Sequence, residues 1–337
     1  MKTMTAAKSI LRKKKLDKSS LPKPLVYLVG GFTVPETKAQ DWLERSGCQF
    51  RCYSYAYVRP GAFFYDERVH QLMEYDIQQG LGIMMDSSAH SFHNFLKMGN
   101  TVRKEVRHQN VALLRDQVIK DYVAFVKSRE KDFDFYVNFD YVRDSPVIYN
   151  VLKQLEKMGI KSMPVFHGDA GFSWLERYFD EGYDYICIGT VARSWEALKR
   201  YYGKIFELGA KYGKNVKFHG LACTGFNVIF GWPWYSVDSS SWAKIGGYGQ
   251  LVLPSPITNR LQYVHVSERE THMPSSFNHM EKSVQRGLQK MIEGLGFDFE
   301  LLRTSVYERG VFNAFIFANI HKWRPQEPLF AKWRSLV

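Results

Sequence analysis

The stretch GIMMDS (82–87) is a short apolar run that stops at Asp86. The same pattern, an apolar run that ends at a small or polar residue, recurs seven further times along the chain. The other runs are LVYLVG (25–30), FRCYSY (50–55), DFYVNFD (134–140), MPVFHG (163–168), YICIGT (185–190), VKFHGL (216–221) and YSVDSS (235–240). Apolar runs of this length, bounded by polar residues or glycine, predict eight buried β-strands.

Helix-like segments lie between most of these strands. The clearest span residues 112–130, 145–159, 172–182 and 194–213, with apolar residues at spacings of three and four and Ser, Pro or Gly at their ends. Alternating strands and helices predict a parallel sheet that is covered on both faces. We therefore predict an α/β fold, a (β/α)₈ TIM barrel. An open doubly wound sheet fits the pattern nearly as well, but its Rossmann form would need a G-x-G-x-x-G motif that the first strand lacks.

Chain length and composition predict one large domain with additions at both ends. The 337 residues, 45% of them hydrophobic, can form a barrel of about 250 residues plus an extension. We predict a flexible basic tail over residues 1–24, a catalytic barrel over 25–255 and a mostly helical C-terminal extension over 256–337 that packs on the barrel. The extension offers a short strand (260–267) and helices within 280–296 and 306–323.

The chain has no run of about 18 apolar residues and no hydrophobic segment behind its basic N-terminus. This predicts a protein that has no membrane partner. It also predicts a location in the cytoplasm, or in the host cytoplasm if a phage encodes the protein. The cysteines, Cys48, Cys52, Cys187 and Cys223, do not form a disulfide framework or a zinc-finger pattern. We expect all four to be buried small apolar residues and predict neither a metal nor a cofactor.

The positive charge is concentrated in the N-terminal tail. The chain carries a net charge of +12, and residues 1–24 contain eight basic residues against the single Asp17. This pattern suits attraction to a phosphate backbone, while a solvated tail without a partner explains it equally well. Further basic residues in the body favour a polyanion, so we predict nucleic-acid contacts for Arg12, Lys13, Lys14, Lys15 and Arg193.

Four of the predicted strands end at chemically capable residues: Asp86, Asp140, His167 and Asp238. An aspartate at such a junction is commonly only a helix cap or a turn residue. Caps do not explain three aspartates and a histidine at the same end of four strands, where a barrel gathers its active site. The sequence therefore predicts an enzyme with paired carboxylates.

Two carboxylates that face one cavity suit cleavage of a glycosidic bond. One can attack the sugar or stabilise a developing cation while the other transfers a proton. The chain contains no Walker loop, no H-E-x-x-H and no G-x-S-x-G motif, which removes several competing reaction classes.

Five segments in order resemble the tRNA-guanine transglycosylases, and more closely their DNA-acting relatives that insert 7-deazaguanines, the DpdA group. The segments are MMDSSAHSF, NFDYVRD, PVFHGDAG, YICIGTVARS and FHGLACTG followed by WYSVDSSSW, and they span about residues 80–255. The resemblance implies a glycosyltransferase, specifically a pentosyltransferase, that exchanges guanine for a free 7-deazaguanine base.

The resemblance also implies residue roles. Asp238 would be the nucleophile and Asp86 the general acid/base, while Asp140 would read the guanine edge. The other substrate-binding positions that it implies are Ser87, His90, His167, Gly168, Gly189 and Thr190.

The chain departs from the family at several positions. Ser88 replaces a glycine, His167 replaces a glutamine, and His90 stands where an aromatic residue stacks on the base, so that stacking would come from the imidazole or from a neighbour such as Phe92. The C-x-C-x₂-C zinc motif of the tRNA enzymes is absent, and SSSW replaces their Pro-Thr-Arg run.

These departures favour DNA as the substrate. A queuosine-type tRNA-guanine transglycosylase, a DNA glycosylase and a non-catalytic nucleic-acid-binding subunit remain as alternatives. A homodimer or a partner protein also stays open.

Overall fold

The structure is a computed structural model. It describes residues 17–30, 34–102, 111–140, 145–168, 171–189, 194–213, 216–223, 225–254, 261–269 and 272–323. The predicted nucleic-acid contacts Arg12, Lys13, Lys14, Lys15 and Arg193, and the predicted base-pocket residue Thr190, lie outside the described residues.

All eight predicted strands are present and form one parallel sheet. Their bounds are β1 (Leu25–Val29), β2 (Phe50–Ser54), β3 (Gly82–Asp86), β4 (Phe135–Tyr136), β5 (Val165–Phe166), β6 (Tyr185–Ile188), β7 (Lys217–Gly220) and β8 (Ser236–Ser239). The strand order is β4-β3-β2-β1-β8-β7-β6-β5, so β1 pairs with both β2 and β8. This order is that of a curled, TIM-barrel-like sheet, and it excludes the doubly wound alternative.

The two edge strands meet through a single parallel bridge between Val137 and Met163. Asn138 N donates to Met163 O at 2.9 Å, and Met163 N donates to Tyr136 O at 2.8 Å. Because the pairing here is limited to this bridge, β4 and β5 are only two residues long, shorter than the runs 134–140 and 163–168 that predicted them.

Helices cover the outside of the sheet. Within the described residues they are α1 (Ala39–Ser46), α2 (Tyr55–Val58), α3 (Glu67–Gln78), α4 (Ala89–Val102), α5 (Val111–Ser128), α6 (Ser145–Lys157), α7 (Ser173–Asp180), α8 (Trp195–Tyr212), α9 (Phe226–Gly231) and α10 (Ser241–Gly247). The four helices predicted from periodicity correspond to α5, α6, α7 and α8. Ser194 caps α8 by accepting a hydrogen bond from Ala197 N.

The C-terminal region adds a hairpin and three helices. Strands β9 (Gln250–Pro254) and β10 (Leu261–His265) pair antiparallel, and α11 (Lys282–Gly294), α12 (Phe299–Thr304) and α13 (Val306–Ala318) follow. Helix α13 lies against α10 and α1. Its buried Asn313 accepts from Val252 N at 2.9 Å, and its buried Arg309 donates to Gly246 O at 2.8 Å. These buried hydrogen bonds fix the helix on the barrel wall.

The interior of the barrel changes character along its axis. Towards the amino ends of the strands, large rings pack edge to face, such as Tyr27 on Phe135 and Phe135 on Tyr185. Lys18 closes this end with an ion pair to the buried Asp134 at 2.7 Å. Further along lie the buried thiols Cys52 and Cys187. All four cysteines are free and buried, which confirms the prediction that they are buried small apolar residues.

Candidate active site

Asp86 is the last residue of β3 and is held in a tight turn. Its Oδ2 accepts a hydrogen bond from Ser88 N at 3.0 Å. Ser88 adopts a left-handed conformation with φ of 66°, which is unfavourable for a residue with a side chain. The Ser88 hydroxyl compensates, since it lies 2.6 Å from Ser54 Oγ and accepts from Ala56 N at 2.7 Å. The turn therefore fixes the carboxylate against the end of the neighbouring strand β2.

The surroundings of Asp86 raise its pKa from 3.8 to about 7. Burial is the largest cause, because it penalises the charged form, and the negative charges of Asp140 and Asp238 add to it. Asp86 can therefore hold a proton and release it near neutral pH. Since both other carboxylates act on this pKa, the three aspartates share one electrostatic environment.

The interior cysteines support the same conclusion. The pKa of the Cys187 thiol is raised well above its usual value by burial and by the negative charges of Asp238, Asp140 and Asp86. The pKa of Cys52 is raised by burial and then by Asp238 and Asp86. The aspartates from β3 and β8, and the one that follows β4, thus surround the same part of the barrel interior.

Asp238 in β8 is buried, and two groups approach the same carboxylate oxygen. Ala222 N donates to Oδ1 at 2.9 Å, and His219 Nε2 lies 3.1 Å from it. Ala222 itself is left-handed with φ of 50°. Among the described residues no hydrogen bond reaches Oδ2, so that oxygen is the one available for chemistry.

His219, at the third position of β7, was not among the residues singled out from the sequence. It is fully buried, and its Nδ1 lies 2.6 Å from Ser236 Oγ. Ser236 Oγ in turn lies 2.6 Å from the hydroxyl of Tyr185. The sequence did contain a signal, because VKFHGL repeats the F-H-G of MPVFHG, whose histidine was singled out.

Asp140 and His167 form a second carboxylate–imidazole pair, with His167 Nε2 3.1 Å from Asp140 Oδ2. The Asp140 side chain is 21% exposed. The buried Nδ1 of His167 has no hydrogen-bond partner in the part of the chain that the structure describes. This pair therefore keeps unused hydrogen-bonding capacity.

The two predicted glycines lie beside this pair and have packing reasons to be glycine. A Cβ on Gly189 would come within 2.1 Å of His167 Nδ1, and a Cβ on Gly168 within 2.3 Å of the Tyr201 ring. Tyr201 also donates to Gly189 O at 2.8 Å. The absence of a side chain at Gly189 therefore lets the imidazole pack against the backbone just after β6.

The residues that follow Asp86 have different surroundings. The Ser87 hydroxyl is fully buried and has no partner among the described residues. His90 is exposed in the first turn of α4, with Nε2 3.1 Å from Asn94 Nδ2. Phe92 is fully buried against Phe63 and Phe139, so the suggestion that it stacks on a base is wrong for this conformation. Phe92 lies on the inner face of α4, so its ring packs into the core.

In the described part of the chain, no group of three or more His, Cys, Asp or Glu side chains could hold a metal ion. No described helix is long and apolar enough to cross a membrane. A comparison with protein-family models gives no match to this chain, and no curated protein is significantly similar to it.

Proposed function

We propose that this chain is a transglycosylase that exchanges guanine in DNA for a 7-deazaguanine base through a covalent aspartyl-glycosyl intermediate. One observation supports it most: the negative charge of Asp238 raises the pKa of Asp86, so these two residues, 152 positions apart in sequence, interact at the carboxyl ends of β3 and β8. That end of a barrel is where catalytic groups from different strands meet.

The two carboxylates differ in the way that a nucleophile and an acid must differ. The pKa of Asp86 is raised to about 7, so it can protonate a leaving base at neutral pH. Asp238 is held at Oδ1 by Ala222 N and His219 Nε2, which leaves Oδ2 to attack the sugar. Retaining glycoside chemistry uses one carboxyl group that holds a proton and a second carboxylate that attacks the sugar.

The proposed reaction proceeds in two balanced half-reactions. A target guanosine first leaves its base stack and enters the barrel mouth. Asp238 Oδ2 then forms a bond to C1′ while the C1′–N9 bond breaks, and its electron pair leaves with the purine, which takes a proton from Asp86. The entering base next attacks C1′ through N9, gives a proton to Asp86 and releases the Asp238 carboxylate. No oxidant or reductant is required.

Base exchange needs a pocket that accepts both guanine and its deaza analogue. Asp140 can accept hydrogen bonds from the ring N–H and the exocyclic amine, an edge that the two bases share. His167 holds this carboxylate through Nε2 at 3.1 Å, and the Asp140 side chain is still 21% exposed. The family that the chain resembles has a glycine at the position of Ser88, and the left-handed φ found there is one that glycine adopts readily.

DNA is favoured over tRNA because the zinc motif of the tRNA enzymes is missing. The four cysteines lie buried in the core as free thiols rather than in one C-x-C-x₂-C cluster. The basic residues of the N-terminal tail would then supply contacts to the DNA phosphates.

The experiment is to incubate the purified protein with duplex DNA or with tRNA, together with 7-cyano- or 7-aminomethyl-7-deazaguanine. The nucleic acid is digested to nucleosides and analysed by mass spectrometry. A modified deoxynucleoside supports the proposal. Incorporation into tRNA alone supports the tRNA enzyme, abasic sites without added base support a glycosylase, and binding without any exchange supports a non-catalytic subunit.

A further inference from the structure

A chain of hydrogen bonds runs from Asp238 into the closed part of the barrel. It passes from Asp238 Oδ1 to His219 Nε2 (3.1 Å), from His219 Nδ1 to Ser236 Oγ (2.6 Å) and from Ser236 Oγ to the Tyr185 hydroxyl (2.6 Å). His219 and Ser236 are fully buried. The motifs of the family that the chain resembles assign no role to His219, Ser236 or Tyr185.

The donor and acceptor in each of these hydrogen bonds follow from the number of protons available. An ionised carboxylate only accepts, so His219 Nε2 must donate to it. Nδ1 of a neutral imidazole then accepts the one proton of Ser236, and Ser236 accepts from Tyr185. Burial raises the pKa of Tyr185 well above its usual value, so its hydroxyl keeps the proton that this direction requires.

The ring plane is fixed by packing as well. His219 lies edge-on to Tyr27 and Phe135, with ring centroids 6.1 and 5.8 Å apart. Both rings belong to the dense aromatic part of the barrel interior. The imidazole therefore has little freedom to turn, and its Nε2–H stays aimed at Oδ1.

We propose that His219 is a positioning residue for Asp238. In this role, which rests on the proposed function, it holds Oδ1 so that Oδ2 faces the sugar, while Ser236 and Tyr185 fix its tautomer. His219 itself neither gains nor loses a proton during the reaction. Its hydrogen bond is strongest to the free carboxylate, so it also favours departure of Asp238 from the covalent intermediate in the second half-reaction.

Two substitutions separate the bond to Asp238 from the bond to Ser236. The amide of His219→Gln reaches the position of Nε2 and keeps a donor for Asp238. The amide of His219→Asn reaches only the position of Nδ1, so it keeps the Ser236 contact and loses Asp238. His265→Asn is the matched control, because it makes the same change at a buried histidine in the C-terminal hairpin.

We expect His219→Asn to lower the turnover number of exchange about 100-fold, the effect typical of removing one preorganised donor. The fraction of enzyme trapped as covalent adduct, measured without entering base, should not fall, because the intermediate now breaks down more slowly. His219→Gln should stay within about tenfold of the parent, and His265→Asn should equal it. A parent-like His219→Asn, or equal losses in the Asn and Gln variants, would overturn the proposal.

Nitrogen-15 NMR of the histidine side chains gives a readout that does not depend on activity. The His219 signals, assigned by their absence in His219→Asn, should show a protonated Nε2 and an unprotonated Nδ1, and Ser236→Ala should disturb this pattern. The opposite tautomer overturns the inference. A parent that shows the expected tautomer but exchanges no base would overturn the proposed function while supporting the hydrogen-bond direction.

Discussion

The sequence F-H-G ends two strands of this barrel, and each of its histidines meets an aspartate at 3.1 Å, yet the two pairs differ in their surroundings. In the His219–Asp238 pair, the second imidazole nitrogen is bound by Ser236, and Asp238 Oδ1 receives a second donor from Ala222. In the His167–Asp140 pair, the second nitrogen has no partner among the described residues. The same local sequence therefore supports a fixed pair and an adaptable pair.

This difference suits the two tasks that the proposed function assigns to Asp238 and Asp140. A nucleophile gains from a single fixed orientation, because misplacement of the reacting atom is costly. A group that reads two different bases gains from hydrogen-bonding capacity that is left for the ligand. The pair at Asp238 has the first property and the pair at Asp140 has the second.

The largest effect should come from Asp238→Asn. The amide oxygen can still accept from Ala222 and His219, so the fold should be kept, but the amide is not a nucleophile. We expect exchange to fall about 10⁴-fold or more, as when a covalent catalyst is removed. Nucleoside mass analysis measures the loss, and an unchanged melting temperature is the control. If Asp238→Asn exchanged bases at the parent rate, Asp238 would not be the nucleophile.

The two histidines should differ in which kinetic constant they change. His167→Asn removes the Nε2 donor from Asp140, so we expect the KM for the entering base to rise about tenfold with little change in kcat. His219→Asn should instead lower kcat. His167→Gln places an amide near Nε2 and should recover most of the binding. If both Asn variants changed the same constant, the distinction between a fixed and an adaptable pair would fail.

Asp140 and Asp238 should also change the pKa of Asp86 by different amounts. The charge of Asp140 raises the Asp86 pKa more than that of Asp238 does. Removing a negative neighbour makes proton loss easier, so Asp140→Asn should lower this pKa more than Asp238→Asn. Carbon-13 NMR of the carboxyl groups can follow the titration, which we expect near pH 7 in the parent. A larger shift in Asp238→Asn would reverse the order.

The Asp86 pKa also has a consequence for stability. The folded state keeps its proton up to about pH 7, whereas the ordinary aspartate pKa of 3.8 applies to the unfolded chain. The contribution of this proton to stability is therefore full below pH 3.8 and is lost as the pH rises through 7. Asp86→Asn should be more stable than the parent at pH 8 and similar to it at pH 4, as thermal melts at the two pH values can show. Equal gains at both values would argue against a buried, repelled carboxylate.

The smallest effect concerns the turn beside Asp86. Ser88→Gly and Ser88→Ala both lose the hydroxyl contacts to Ser54 and Ala56, but only glycine relieves the left-handed backbone. Ser88→Gly should therefore be more stable than Ser88→Ala by about 1 kcal/mol in the free energy of unfolding. Urea denaturation measures this difference. A more stable alanine variant would show that the left-handed φ at this position does not lower the stability of the fold.

The sequence predicted the eight strands well because each is a continuous apolar run, which a doubly covered parallel sheet requires. It also predicted the end of β3 at Asp86, whereas β8 continues one residue past Asp238 to Ser239. It did not predict the contacts of His219, because they join residues of β6, β7 and β8 that become neighbours only once the sheet has formed. The left-handed Ser88 was equally hidden, since nothing in MMDSSAHSF marks a positive φ.

The most direct test of the central claim is to locate the covalent bond. DNA containing the target guanine is incubated with the protein without entering base, the complex is denatured and digested, and the peptide that carries the sugar is sequenced by mass spectrometry. We expect a single adduct on Asp238 that disappears when 7-deazaguanine is added and is absent from Asp238→Asn. An adduct on another residue, or base exchange that proceeds with Asp238 replaced, would contradict it.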